Sequence, residues 1–573
     1  MDAMMQPAAN EIGYVVGGGL EANLQVRLTV PPQEVQEGSF VVIDSGGWRF
    51  YGLVTDLQLG STNPRFADEQ SEERLPRQLA ELLHGQTLYT NLAVMPVLML
   101  ERGPEPGTDE YHQWKDRHPD ENKPVTVKTV PSHHSPVLLA DAADIAQIFG
   151  KEDNKTIFCI GYTREQGHPV CLDLDKFVKR SSGIFGTTGS GKSFLARMIL
   201  AGLIHADRAA ALIFDMHNEY GPDSSSPDTG QPVPGLKGKF GAKIRLVGLG
   251  ARTSFGKLNA DFTLEIAQSD ITSEDVLLLS QALNLNETAP VVLAALEREF
   301  GTDWFSEFLS METGTTEQDE NGKSVPAPNS VEFWAYASNV HPKSALALHQ
   351  KLGRLRGKTY LTTSASTKGL DDIIENLENG RHVVLSFGKN NNELDYLLVT
   401  NLITRKIRDH WQEKTENFHA EKGGEPRPLV VVVEEAHKLL NREMASQTIF
   451  STIAREMRKY YVTLLIIDQR PSQIYDEVMS QLGTRISGSL GDEDDINAVL
   501  SGLPGRSALR GLLSKLQAKE EALLLGWGVP MPIPIRSRRY DASFWESLLK
   551  DEQKPTTFED ASRSLGFEDD DTD

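Results

Sequence analysis

Residues 184–193 read Ile-Phe-Gly-Thr-Thr-Gly-Ser-Gly-Lys-Ser. Gly186, Gly191, Lys192 and Ser193 fill the pattern G-x-x-x-x-G-K-[ST]. Ile184 and Phe185 suggest a strand before it. Phe194, Leu195, Met198, Ile199 and Leu200 continue as a helical pattern. Strand, glycine-rich turn and helix in that order make a phosphate-binding loop. The glycines let successive backbone N–H groups converge on an anion, and the helix N-terminus adds a favourable dipole. Lys192 can reach the β and γ phosphates, and Ser193 can ligate Mg²⁺. The run Gly186, Thr187, Thr188, Gly189, Ser190, Gly191, Lys192, Ser193, Phe194 is therefore expected to hold ATP with Mg²⁺.

Outward from this loop, apolar runs alternate with helical segments. They are Thr156–Ile160, Ser182–Phe185, Ala209–Phe214, Ile244–Val247, His382–Phe387, Leu429–Val433, Thr463–Ile467 and Glu521–Leu525. This alternation predicts an α/β core with a mostly parallel sheet covered on both faces. Residues 263–376 interrupt it with mainly helical sequence, as in Ser269–Leu285 and Ala289–Phe300. The polar stretch Glu312–Ser330 reads as a flexible loop inside that insertion. The core thus divides into 151–262 and 377–540.

Before the core, Val15–Val16, Leu24–Val30, Phe40–Ile43, Trp48–Val54 and Met95–Leu100 are short β-rich runs punctuated by Gly and Pro. They predict a small barrel or sandwich over 1–150. Residues 60–90 read as a charged helical excursion, and 103–135 as an exposed loop. After the core, 541–573 holds eleven Asp/Glu against three Lys/Arg and reads as a solvated acidic tail.

The length, 573 residues, suits two to four domains. No apolar run approaches the ~18 residues of a membrane span, so no membrane partner is expected. The first residues, Met-Asp-Ala-Met-Met-Gln-Pro, lack the basic and apolar regions of a secretion signal. Cys159 and Cys171, the only cysteines, read as reduced core residues of a cytoplasmic protein. The net charge of −23 argues against a generally basic nucleic-acid coat. It leaves room for local basic surfaces. Two clusters stand out: Lys237, Lys239, Lys243, Arg245 and Arg252, and Lys351, Arg354, Arg356 and Lys358.

Four further motifs carry chemistry. Leu429-Val-Val-Val-Val-Glu-Glu-Ala-His437 is a buried strand ending in two carboxylates. A nucleotide hydrolase needs one acid for Mg²⁺ and another to polarise water; Glu434 suits the first role and Glu435 the second. Gln469 lies just past another strand, where a polar residue can sense the γ-phosphate. Asp215 ends the strand after the phosphate-loop helix and is expected at the same edge. His217 has no partner His or Cys at metal-ligand spacing. Arg455 and Arg458 lie in Ala454-Arg-Glu-Met-Arg-Lys459 between the acid pair and Gln469. Either can serve as an arginine finger for a neighbouring subunit, since the guanidinium fork grips phosphate oxygens.

Together these motifs resemble the HerA family of hexameric ATPases within the HerA/FtsK group. The matching stretches are Gly186–Ser193, Asp215–Tyr220, Glu434–His437, Ala454–Lys459 and Gln469–Ser472. The β-rich N-terminus looks like that family's small barrel. The resemblance implies a RecA-like P-loop core and a homohexamer with ATP between neighbours. It implies a DNA translocase that threads DNA through its central channel. It also implies a partner: a nuclease of the NurA type, or a defence effector such as a sirtuin-like NADase or another nuclease. Asp468, where many relatives carry a small polar residue, and Ser182, where a basic residue is expected, depart from the pattern. An ATP-dependent assembly platform that regulates an effector, with little DNA pumping, is the alternative. A metabolite kinase accounts poorly for the paired acids and the barrel.

Overall fold

In the computed structural model, residues 10–550 are described except 21, 63–86, 105–107, 118–122, 154, 226–229, 231, 251–253, 256–257, 319–322, 364–367 and 445–448. A twelve-stranded sheet forms the centre. Eight strands run parallel, in the order Phe262–Leu264, Ile244–Leu249, His382–Ser386, Ala210–Asp215, Leu429–Glu434, Val462–Asp468, Ser182–Phe185 and Thr484–Ser487. Four antiparallel strands extend it: Glu521–Gly526, Ile533–Ser537, Ile157–Thr163 and Pro169–Asp173.

The central strands are buried along their whole length because helices cover both faces. Every residue of Leu429–Glu434 and Val462–Asp468 is buried. The phosphate-loop helix, Lys192–Ala206, buries ten of its residues against the sheet. The strand Val462–Asp468 lies between the phosphate-loop strand and the acid-ended strand. This is the RecA-like P-loop arrangement.

The N-terminal strands form a second sheet. Leu24–Leu28 pairs with Leu88–Glu101, which closes six strands into a barrel. Val125–Thr126 adds to it from outside the ring. The barrel and the core share Phe40–Ser45 by alternation. Val41 and Ile43 face the barrel interior, whereas Phe40 and Val42 join the core of the large domain. A period of two lets one strand serve both. Gln166 fastens the joint: its Oε1 accepts from the Phe40 N–H at 3.2 Å and its Nε2 donates to the Phe40 carbonyl at 2.8 Å.

Several expectations change. Pro136–Leu139, which carries no clear alternation, is a barrel strand between Glu11–Gly17 and Phe40–Ser45. The stretch 103–135 includes a helix, Asp109–Arg117, as well as loop. Within Glu312–Ser330, Thr316–Gln318 and Ser324–Pro326 pair as a hairpin. The acidic tail starts later than its composition suggests. Ala542–Leu548 is a helix capped by Asp541, and Phe544, Trp545 and Leu548 are buried. The apolar trio on one helical face outweighs the surrounding charge. The helical excursion expected at 60–90 and the tail beyond 550 lie outside the described residues.

Phe40 is fully buried where barrel meets core. Phe40→Ala should cost about 3–5 kcal/mol of the joint's stability. Limited proteolysis should then release the barrel at a lower temperature than in the wild type; an unchanged cleavage profile would show that the joint does not depend on this ring.

Candidate nucleotide site

The phosphate loop leaves its strand at Phe185 with Gly186 at φ 152° and reaches the helix through Gly191 at φ 93°. A Cβ on Gly186 would stand 2.4 Å from Ser190 Oγ, so only glycine fits there. The Thr187 N–H donates to the Ser489 carbonyl at 3.0 Å, and the Ser190 N–H to Thr187 at 3.1 Å. The first bond ties the loop to the segment that follows the strand Thr484–Ser487, and the second closes the loop on itself. The helix begins at Lys192, so its first-turn N–H groups open on the loop's concavity. Lys192 Nζ donates to the Thr187 carbonyl at 3.1 Å. Its burial lowers the ammonium pKa, against the opposing pull of Glu435 and Asp468.

A cavity of about 900 Å³ opens here, lined by Thr188, Gly189, Ser190, Gly191, Lys192, Ser193, Phe194, Glu434, Glu435 and Gln469 among others. Gln469 joins the two halves. Thr188 Oγ1 donates to its Oε1 at 2.7 Å, and its Nε2 donates to Glu435 at 3.2 Å. One amide thereby connects the phosphate loop to the carboxylate that would polarise water. Glu435 sits at φ 48°, a conformation an L-residue adopts at a cost of about 1–3 kcal/mol. That kink comes directly after the strand end, where successive side chains would otherwise alternate between faces.

Glu434 is held differently. Tyr220 donates to its Oε1 at 2.8 Å, and Tyr396 donates to its backbone carbonyl at 2.8 Å. Its other oxygen, Oε2, is buried with no hydrogen-bond partner. Burial, with Asp215 and Glu219 nearby, pushes its pKa well above the usual carboxylate value. An orphaned, destabilised carboxylate oxygen in a cavity also lined by Ser193 is a hard-oxygen donor set that fits Mg²⁺. Ser193 and Glu434 would hold the ion, and the bound ion would neutralise charge on the phosphates.

Asp215 ends its strand at this edge but does not line the cavity. It accepts from the N–H groups of Glu219, Tyr220 and Gly221 at 2.8, 3.0 and 3.3 Å. It acts on the site by shaping the turn that presents Tyr220. Asp468 is likewise a brace, accepting from the His437 N–H at 2.7 Å, from His437 Nδ1 at 2.9 Å and from the Arg470 N–H at 2.6 Å. That contact raises the His437 pKa. Arg455 pairs with Glu477 at 3.2 Å within its own chain. Arg458 is exposed in the turn Met457–Tyr460.

Several members of the two basic clusters contact nearby groups of the fold, while Lys239, Lys243, Arg354 and Arg356 stay exposed at the surface. Lys237 binds Asp261 at 2.9 Å and the Ile244 carbonyl at 2.8 Å, and Lys358 binds the buried Asp395 at 2.9 Å. Lys351, Arg354 and Arg356 donate to the carbonyls of Asn284, Ala282 and Leu309. Those carbonyls lie at or just past helix C-termini, where cations satisfy unpaired acceptors. The run of charges is thus a capping set. Arg252 lies outside the described residues.

Sequence reasoning passed over Tyr220, Tyr396, Arg197 and the C-terminal residues Lys519, Arg536, Arg539 and Tyr540, all at or next to the cavity. Tyr220 stood inside a quoted motif. The others carry no local signal, since only the sheet order brings them here.

A family model described as "Helicase HerA, central domain" matches residues 158–407. The DNA double-strand break repair helicase HerA of Saccharolobus solfataricus is 22% identical, over 97% of this chain and 99% of its own. Its counterpart from Sulfolobus acidocaldarius is 23% identical, over 92% and 93%. Among solved structures, VirB4 of Thermoanaerobacter pseudethanolicus aligns with TM-score 0.43 at 16% identity, over 69% of this chain and 98% of its own. The bacterial conjugative coupling protein TrwB aligns with TM-score 0.42 at 13% identity, over 70% and 92%.

The raised Glu434 carboxyl gives a pH test. The fold keeps a proton that the unfolded chain releases near 4.5. Its stabilising contribution is complete below that value and is lost as pH rises through the raised folded value. Glu434→Gln should reduce the decline of Tm with pH by the equivalent of one proton, about 1.4 kcal/mol per pH unit. Parallel Tm–pH curves for wild type and variant would show an ionised Glu434.

Proposed function

The chain belongs to the HerA family, and we propose on that premise that it is an ATP-hydrolysing DNA motor working as a homohexameric ring. The observation that carries the reading is the Thr188–Gln469–Glu435 connection. It couples the state of the phosphate loop to the group that polarises water. In this reading Lys192 and the loop N–H groups hold the triphosphate, while Glu434 and Ser193 hold Mg²⁺. Glu435 takes the proton of the attacking water. Gln469 orients that water and passes the presence of the γ-phosphate to the helix beyond it.

Arg458 is the preferred arginine finger. Arg455 already has an acidic partner, whereas Arg458 is exposed and makes no ion pair among the described residues. In a ring it would reach the phosphates of the neighbouring subunit. The barrel is the docking module for a partner nuclease of the NurA type or a defence effector, because its outer surface and loops are not engaged with ATP. DNA would pass through the central channel. The intramolecular contacts that already occupy Arg354 and Lys358 favour a second reading, the ATP-dependent platform that regulates an effector. Hydrolysis by the isolated ring separates the two: strong stimulation by DNA supports the motor, and none supports the platform.

Glu435→Gln should keep ATP affinity within a few-fold and lower turnover at least 100-fold, at the scale of a lost general base. Wild-type turnover would remove Glu435 from that role. Arg458→Ala subunits and Glu435→Gln subunits should each be inactive alone. Mixed, they should partly recover hydrolysis, because some interfaces then pair an intact Glu435 with an intact Arg458. No recovery in a mixed hexamer would rule out Arg458 as a residue given in trans.

A further inference from the structure

The cavity is larger than a triphosphate needs, and its far end is built differently from its phosphate end. Phe194 and Arg197 lie three residues apart on the phosphate-loop helix, hence on one face. Tyr540, just past the last strand of the sheet, meets them. The Phe194 and Tyr540 rings stand 6.0 Å apart, and the Arg197 guanidinium lies 5.5 Å from one ring centroid and 5.9 Å from the other. All three line the cavity.

Arg197 is the anomaly. It is only 5% exposed, yet its Nε has no hydrogen-bond partner and no carboxylate pairs with it among the described residues. A buried, unpaired guanidinium is expensive unless something completes it. Cation–π contact with two rings offsets part of the cost and leaves Nε without an acceptor. The Tyr540 hydroxyl is already used, donating to the Pro234 carbonyl at 2.9 Å, so Tyr540 can offer the ligand only its ring.

We propose that Phe194, Arg197 and Tyr540 form the base subsite of the nucleotide pocket and take a purine. The proposal rests on the ATPase reading above and adds the part of the ligand that the phosphate loop does not recognise. A purine supplies what this end lacks. Its π-face packs on the aromatic rings, and its ring nitrogens are acceptors for a group that can only donate. At 1.5 Å per residue, Arg197 lies about 7.5 Å along the helix from Lys192, and both line the one cavity.

The test compares ATP with inorganic tripolyphosphate, each with Mg²⁺, by titration calorimetry on the full chain. Arg197→Met keeps the buried stem and removes the donors. ATP affinity should fall roughly tenfold, the scale of one lost hydrogen bond from a charged group, while tripolyphosphate affinity stays unchanged. Tyr540→Leu should act in the same direction. The wild type should bind ATP and GTP more tightly than CTP or UTP. Without ligand, the Tm of Arg197→Met should match or exceed the wild type, since an uncompensated buried charge has gone; a lower Tm would make Arg197 structural and overturn the proposal. An equal loss of ATP and tripolyphosphate would place Arg197 on the phosphates, and unchanged ATP affinity would remove it from the site. Either result overturns the proposal. Lys192→Ala is the control. If it leaves both ligands bound, the phosphate-loop reading fails, whatever Arg197 does.

Discussion

The molecule depends on one register. Phe185 stands opposite Asp468 and Ile467 opposite Glu434 across three parallel strands. That alignment brings the phosphate loop, Gln469 and the acid pair to one edge. A parallel ladder offers no tight turn to set its register; buried apolar faces must do it. A slip of one residue would reverse every side chain and separate Gln469 from both its partners. The uniform burial of these strands is therefore a functional requirement as much as a source of stability.

At that edge the protein keeps an uncomfortable arrangement. Asp215 and Glu434 are buried close together, with the half-buried Glu219 beside them. Asp215 is compensated by three backbone N–H groups. Glu434 receives one hydroxyl and keeps one bare oxygen. The difference divides the cluster into a brace and a ligand. Tyr220 and Tyr396 hold Glu434 at two points, so the bare oxygen cannot turn away to find a partner of its own.

The antiparallel extension has a second use. By returning Ile533–Ser537 beside Ile157–Thr163, it brings Tyr540 to the phosphate-loop helix. The barrel is tied to the same end through Gln166 and through Arg164, which bonds the Glu37 carbonyl. A load on the barrel thus bears on strands adjoining the nucleotide cavity. The helical insertion has its own anchor, Asp275, which accepts from Arg405 at 2.9 Å and Asn401 at 2.9 Å on the long helix Glu393–His419.

The phosphate loop, the acid-ended strand and the Gln strand were legible in the chain because each is local: a glycine pattern, or an apolar run closed by a polar group. The α/β core and the barrel followed from periodicity for the same reason. Strands such as Pro136–Leu139 and Thr484–Ser487 were not legible, because they are short and take their conformation from their neighbours. The basic run 351–358 stayed open in the sequence, since a charge count cannot tell a solvated cation from one capping a helix. Asp215 and Glu434 both end buried strands in the sequence. Only the tertiary structure gave one its three N–H partners and left the other an open oxygen, because the groups that satisfy or expose a buried carboxylate come from distant segments brought together by sheet order.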